Sequence, residues 1–297
     1  MQQMAINLAV AEERDGGCRI FSVNGPPGTG KTTLLKDIIA EYVVRRARLL
    51  AELNKPDDAF TYDTLLEKTL GNRTQCTYAF KANSGFDNYG ILVASCNNAA
   101  VENITFELPD MSKLPKAEVM EAAGHTTVFS QGKDLFFGEL ATNMLNNSPE
   151  PKKQTKKAWG LISARLGKSE NIRSFNEMVL KQFGMKTSSK AENRETAAEF
   201  KGRFPAFRDA KREFLEQYQL VETLRGQQHC NEAVFQADNE KMQPSNPLVN
   251  AAFDKVREEL FYRALVLHGS FIVNSYKWKC NLYSCLLYTS PSPRDTE

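Results

Sequence analysis

The sequence predicts an α/β protein: a parallel sheet that carries a glycine-rich loop and is interrupted by a largely helical insertion. Three observations lead there. A short apolar run, Ile20 to Val23, passes directly into Gly25-Pro-Pro-Gly-Thr-Gly-Lys31, and that loop passes into an amphipathic helical pattern. A second apolar run, Ile91 to Ala94, is again followed by a helix start. The stretch from about Pro109 to Pro247 reads as mostly helical, and after Pro205 its apolar positions step by three or four, which is helical spacing.

The chain has 297 residues, 41% of them apolar and 25% charged, the composition of one large globular domain or two ordinary ones. A mean hydropathy of -0.45 fits a soluble protein. The apolar stretch from Leu260 to Val273 is broken by Arg263 and His268, and it is shorter than the roughly 20 residues that cross a bilayer. No membrane span or signal peptide is expected. Cys18, Cys76, Cys96, Cys230, Cys280 and Cys285 show no C-x-x-C spacing, so neither a zinc site nor a disulfide framework is suggested, and a reducing, cytoplasmic setting fits. The net charge of +2 hides an asymmetry: Lys152 to Arg212 carries a local +10, which leaves -8 on the rest.

Ile20-Phe-Ser-Val23 is β-branched or aromatic at three of four positions and reads as a buried strand. The loop after it, Gly25, Pro26, Pro27, Gly28, Thr29, Gly30, Lys31, Thr32 and Thr33, fits G-x-x-x-x-G-K-[ST]. Each residue type answers a need of polyphosphate chemistry. Gly25, Gly28 and Gly30 free the backbone, so that successive N–H groups turn inward around a phosphate at a helix amino terminus. Lys31 brings positive charge to the β- and γ-oxygens, Thr32 offers a hydroxyl to Mg²⁺, and Thr33 reaches the α-phosphate. Pro26 and Pro27 fix φ and lower the entropy lost when the loop closes. Leu34, Leu35, Ile38, Ile39, Tyr42 and Val43 then recur at helical spacing, a helix expected to run to about Leu53. ATP and Mg²⁺ are the expected ligands.

The neighbouring segments carry a family resemblance. Gln2-Gln-Met-Ala5-Ile6 resembles the Q-x-x-A-[IV] element of superfamily 1 helicases, and Ile91 through Ala94, Ser95, Asn97, Asn98 and Val101-Glu-Asn-Ile104 resembles their motif Ia. Glu258 to Ile272 is similar to a segment that precedes motif II in large bacterial proteins of this group; its helical spacing is also that of a core helix with His268 inside it. The resemblance implies a RecA-like nucleotide-binding fold, with Gln2 on the adenine edge, where an amide offers both donor and acceptor. It also implies that Ser95, Asn97 and Asn98 hold single-stranded nucleic acid, DNA ahead of RNA. Local chemistry offers plainer roles as well: Gln2 as a surface residue, and Asn97 or Asn98 as a helix cap.

One expected part is missing. An acidic pair after an apolar strand normally holds Mg²⁺ and activates water, yet no Asp-Glu dipeptide occurs in the chain. Asp57-Asp58 follows Asn54-Lys-Pro56 and reads as a solvated turn. On the resemblance, motif II and a second RecA-like domain would lie beyond Glu297, and Met1 would be an internal methionine.

The segments then order as follows. Residues 1–108 are the first part of the RecA-like domain, 109–250 a mostly helical basic insertion, and 251–284 a helical return to the core. In the insertion, Phe207, Ala210, Phe214, Tyr218, Val221 and Leu224 trace one stripe of a helix that would form a hairpin closed at Pro244 to Pro247. Lys152, Lys153, Lys156 and Lys157, followed by Trp159, form a basic loop next to an aromatic, a candidate phosphate contact within the basic segment. Cys285 to Asp295 can be encoded by a DNA string resembling the adapter of transposase-based sequencing libraries, so 285–297 is expected to be a translated adapter. Two other readings of the loop remain: an AAA+ type remodelling ATPase, and a non-enzymatic scaffold that uses nucleotide as a switch. Protein partners are not indicated.

Overall fold

Helix α1 (Lys31–Glu52) begins directly after the glycine loop and extends for 22 residues. It belongs to a computed structural model that describes residues 22–24, 31–70, 73–82, 84–95, 104–113, 137–146, 156–165, 169–182, 202, 204–237, 247–275 and 287–291. Leu34 and Ile39 are buried on the expected stripe, and Ala47, Leu50 and Ala51 continue it toward the carboxyl end.

Two long helices complete the main core. In order along the chain, α2 is Gly138–Leu145, α3 is Ser169–Gln182, α4 is Phe207–Ala237 and α5 is Pro247–Asn274. The stripe expected after Pro205 is the buried face of α4, where Phe207, Ala210, Phe214 and Val221 are all buried. The helix extends thirteen residues past Leu224, the last position of that stripe. α5 opens on proline, whose missing N–H costs nothing in a first turn. Gln217 donates to the Val256 carbonyl at 3.0 Å, and Ser270 donates to the Pro205 carbonyl at 2.9 Å. Rising numbers on α4 therefore meet falling numbers on α5, so the two helices form the expected antiparallel hairpin, with α1 packed across it.

Strands β1 (Phe60–Leu70) and β2 (Arg73–Phe80) form an antiparallel hairpin that the sequence reading did not anticipate. Its base is aromatic: Phe60 stacks on Phe80 at 4.9 Å, Phe80 on Phe86 at 4.9 Å, and Phe60 on Phe271 of α5 at 5.9 Å. Buried rings at these separations add dispersion and quadrupole attraction to the hydrophobic term. Before it, Pro56–Ala59 makes a short 3-10 turn. Asp58 is exposed and accepts the Lys55 N–H at 2.9 Å, as a solvated turn should, whereas Asp57 accepts the Ser275 hydroxyl at 2.6 Å and ties the turn to the end of α5.

A second sheet is parallel and three-stranded, in the order β3 (Leu92–Ser95), β5 (Leu287–Pro291), β4 (Ser163–Arg165). The expected strand at Ile91 to Ala94 is β3, displaced by one residue. Of the strand expected at Ile20 to Val23, Ile20 and Phe21 lie outside the described residues; Ser22 and Val23 have no regular structure, and Val23, expected to be buried, is 42% exposed. A four-residue run has no strand stability of its own and exists only as part of a ladder, and β3 pairs with β5 in the parallel ladder described. β5 lies inside the segment read as adapter; so short a strand pairs through backbone hydrogen bonds, whatever the origin of the segment. The described strands amount to this small sheet and one hairpin, fewer than a RecA-like sheet requires.

Candidate functional site

The first turn of α1 holds Lys31, Thr32 and Thr33. The described helix thus starts at the lysine of the loop motif, so its unpaired amides and positive dipole end lie at Lys31 to Thr33. Gln2, Gly25, Pro26, Pro27, Gly28, Thr29, Gly30, Asn97, Asn98, Lys152 and Lys153 lie outside the described residues. Ser95 is the last residue of β3, at the carboxyl edge of a parallel strand, the edge at which open α/β sheets bind ligands. By residue type, Lys31, Thr32 and Thr33 bring an ammonium and two hydroxyls to a helix terminus with its own free amides, a chemistry that fits a polyphosphate with a hard cation. Among the described residues no cluster of His, Cys, Asp or Glu is placed to hold a metal ion by itself.

Lys156 and Lys157 are exposed, at the end of the basic loop, and the described residues show how that end is held. Residues 104–107 are helical, and the chain after them meets 157–159 edge to edge. Met111 N–H donates to the Lys157 carbonyl at 2.8 Å and Trp159 N–H to the Pro109 carbonyl at 2.9 Å, around a bridge between Asp110 and Ala158. From the other side α2 contributes Thr142, whose hydroxyl accepts the Ala158 N–H at 3.0 Å, and Asn146, whose carboxamide engages both backbone groups of Lys156. The Lys156 ammonium lies 5.8 Å from the centre of the Phe106 ring, a cation–π contact.

Trp159 points to a different use from the one its position beside the lysines suggests. It is half-buried, its indole N–H donates to the Leu108 carbonyl at 2.9 Å, and its ring meets Phe261 edge-on at 6.2 Å. It anchors the loop to the core. Thr142 and Asn146 were not singled out in the sequence; an asparagine at the end of a helix is the one local signal, since that residue is common at helix ends.

His268 is 3% exposed in the core, as the helical spacing of its segment expects. Its Nε2 lies 3.0 Å from the Val43 carbonyl of α1, and its Nδ1 is buried with no hydrogen-bond partner among the described residues. Burial, reinforced by the nearby Arg46 guanidinium and only partly opposed by the bond to Val43, lowers its pKa to about 3. The ring is therefore neutral, with its proton on Nε2 directed at that carbonyl. Beyond it, α1, α4 and α5 enclose a groove of about 740 Å³ lined by charged and aromatic side chains, among them Asp37, Arg48, Tyr89, Tyr218 and Arg257. Desolvation there raises the Asp37 carboxyl above the ordinary carboxylate range, and Arg257 opposes the shift.

Among the described residues, no helix is long and apolar enough to cross a membrane. A family model described as an AAA domain matches residues 1–265. No curated protein and no solved structure matches the chain. The matched span includes the Gln2 element, the glycine loop, Ser95 to Asn98 and the basic loop. It runs into α5, so the helical segments are part of the family's own unit. With a nucleotide-type loop opening a helix at Lys31 and a family match over most of its length, the chain belongs to the AAA domain family, a superfamily 1 helicase-like group of P-loop ATPases.

Proposed function

We propose that this chain is the ATP-binding, amino-terminal part of a superfamily 1 helicase or translocase acting on single-stranded nucleic acid, DNA in preference to RNA. The observation that carries the reading is the loop Gly25 to Thr33 opening α1 within a chain matched as an AAA domain. Lys31 binds the β- and γ-phosphate oxygens, the loop amides orient the chain of phosphates, and Gln2 selects adenine. Thr32 holds Mg²⁺, which when bound neutralises charge on the phosphoryl oxygens.

Ser95, Asn97 and Asn98 hold the strand at the sheet edge, and Lys152, Lys153, Lys156 and Lys157 add phosphate contacts. With no Asp-Glu pair in its sequence, the chain binds nucleotide without turning it over. The RecA-like architecture and the cytoplasmic setting are part of the same proposal. Equilibrium ATP binding by the Lys31→Ala variant tests it: affinity is expected to be lost, and an unchanged affinity would overturn the assignment. Steady ATP hydrolysis by the purified chain would refute the claim of inactivity.

A further inference from the structure

Asn146 ends α2 one helical turn after Thr142, so the two side chains share a face. Together they make three hydrogen bonds to a short extended stretch. Asn146 Nδ2 donates to the Lys156 carbonyl at 2.8 Å, Lys156 N–H donates to Asn146 Oδ1 at 3.1 Å, and Ala158 N–H donates to Thr142 Oγ1 at 3.0 Å. The carboxamide pairs with Lys156 as a peptide group of a neighbouring strand would. Asn146 Nδ2 also donates to the Thr142 carbonyl at 2.7 Å, which fixes its rotamer before the loop is engaged.

On the opposite edge, the Met111 N–H and the Pro109 carbonyl clamp residues 157 and 159. The backbone of Lys156 and Lys157 is thus held from two sides while their side chains stand exposed, and neither forms an ion pair among the described residues. This is an unusual investment in a surface loop. Exposed lysines that only solvate a surface need no fixed backbone, whereas lysines that must meet successive phosphates gain from it, because less freedom is lost on binding.

Resting on the nucleic-acid reading of the basic loop, we propose that Asn146 and Thr142 are positioning residues that set Lys156 and Lys157 against the helical residues 104–107. Residues 104–111 and 156–159 then present one contact surface to a single strand. The helical residues 104–107 and the lysines bind as one unit because the Asp110 to Ala158 bridge holds the chain after the first against the second.

The test uses the whole chain, a fluorescent oligothymidylate and binding isotherms over a range of salt. Each phosphate contact contributes about 0.7 to the slope of log K against log salt for a single strand, so one lost contact weakens binding about fivefold at 0.1 M salt. A Lys156→Ala, Lys157→Ala double variant is expected to flatten the slope by about 1.4 and to weaken binding roughly 25-fold. Asn146→Ala removes no charge, yet is expected to flatten the slope by at least half as much, and the near-isosteric Thr142→Val to shift it in the same direction. ATP affinity should be unchanged in all three, which reports that each is folded. If both α2 variants keep the parental slope while the lysine variant does not, the positioning role is overturned and the nucleic-acid reading stands. If the lysine variant itself leaves the slope unchanged, the basic loop is not a phosphate contact and the proposal falls with that reading.

Discussion

His268 of α5 holds the carbonyl of Val43 of α1 across the core, Nε2 to oxygen 3.0 Å. The contact joins α1 to α5, and the ring that makes it is neutral because burial and the nearby Arg46 outweigh the bond, which by itself favours the charged form. Because burial lowers the folded pKa to about 3 from an ordinary 6.5, the unfolded chain takes up a proton that the folded chain refuses throughout that window. The stabilisation is complete above pH 6.5 and is lost as pH falls toward 3, at about 1.4 kcal/mol per unit. Urea midpoints between pH 5 and 7 should decline for the parent and decline less for His268→Leu. Parallel profiles would show that another group governs the acid sensitivity.

Phe271 sits where the helices and the hairpin meet, fully buried, 5.9 Å from Phe60 and 6.2 Å from Phe207. Truncation to alanine removes a buried ring and leaves a cavity, at a cost of about 3 to 5 kcal/mol. Thermal unfolding of Phe271→Ala should show a drop large for a single substitution. A shift of only a degree or two would mean that the core collapses around the gap.

Arg263 of α5 pairs with Glu213 of α4 and, at 2.8 Å, with Glu259 on its own helix. All three side chains are a quarter or more exposed, so water screens them and the Arg263 to Glu213 coupling is expected to be about 1 kcal/mol or less. A double-mutant cycle with Arg263→Met and Glu213→Gln should return that value at low salt and a smaller one at 0.5 M. A coupling of several kcal/mol that salt leaves untouched would contradict this.

Asp57 separates a structural carboxylate from a catalytic one. It accepts a 2.6 Å hydrogen bond from Ser275, and a bond to a charged acceptor is worth about 1.5 to 3 kcal/mol. Asp57→Asn should therefore lower stability by roughly that amount at most, while the affinity for ATP with Mg²⁺ stays at the parental value. A loss of Mg²⁺-dependent affinity would instead identify Asp57-Asp58 as the acidic pair that the sequence otherwise lacks.

What the sequence disclosed depends on the range of the interaction concerned. α1, the stripe of α4 and the core placement of His268 could be read because a helix satisfies its own backbone and signals only its buried face, every three or four residues. The phosphate loop is expected on residue types at fixed spacing; Gly25 to Gly30 lie outside the described residues, and only the helix that follows at Lys31 is described. Strands were harder. Ile20 to Val23 has the composition of a strand, but a ladder is decided by distant partners. The β1–β2 hairpin went unseen because its anchor is the stack of Phe60, Phe80, Phe86 and Phe271, residues scattered along the chain. The hold of Asn146 on Lys156 leaves no periodic trace at all, since it joins a side chain to a backbone across ten residues.

α1 also has a mechanical consequence. Lys31 stands at one end and Leu50, fully buried, near the other, about 28 Å apart at 1.5 Å per residue. A tilt of about 5° pivoting on the phosphate end would swing Leu50 by roughly 2.5 Å, far more than a close-packed core absorbs. α4 and α5 must therefore travel with α1 as a single lever, so that any movement imposed at Lys31 is carried to the helical hairpin.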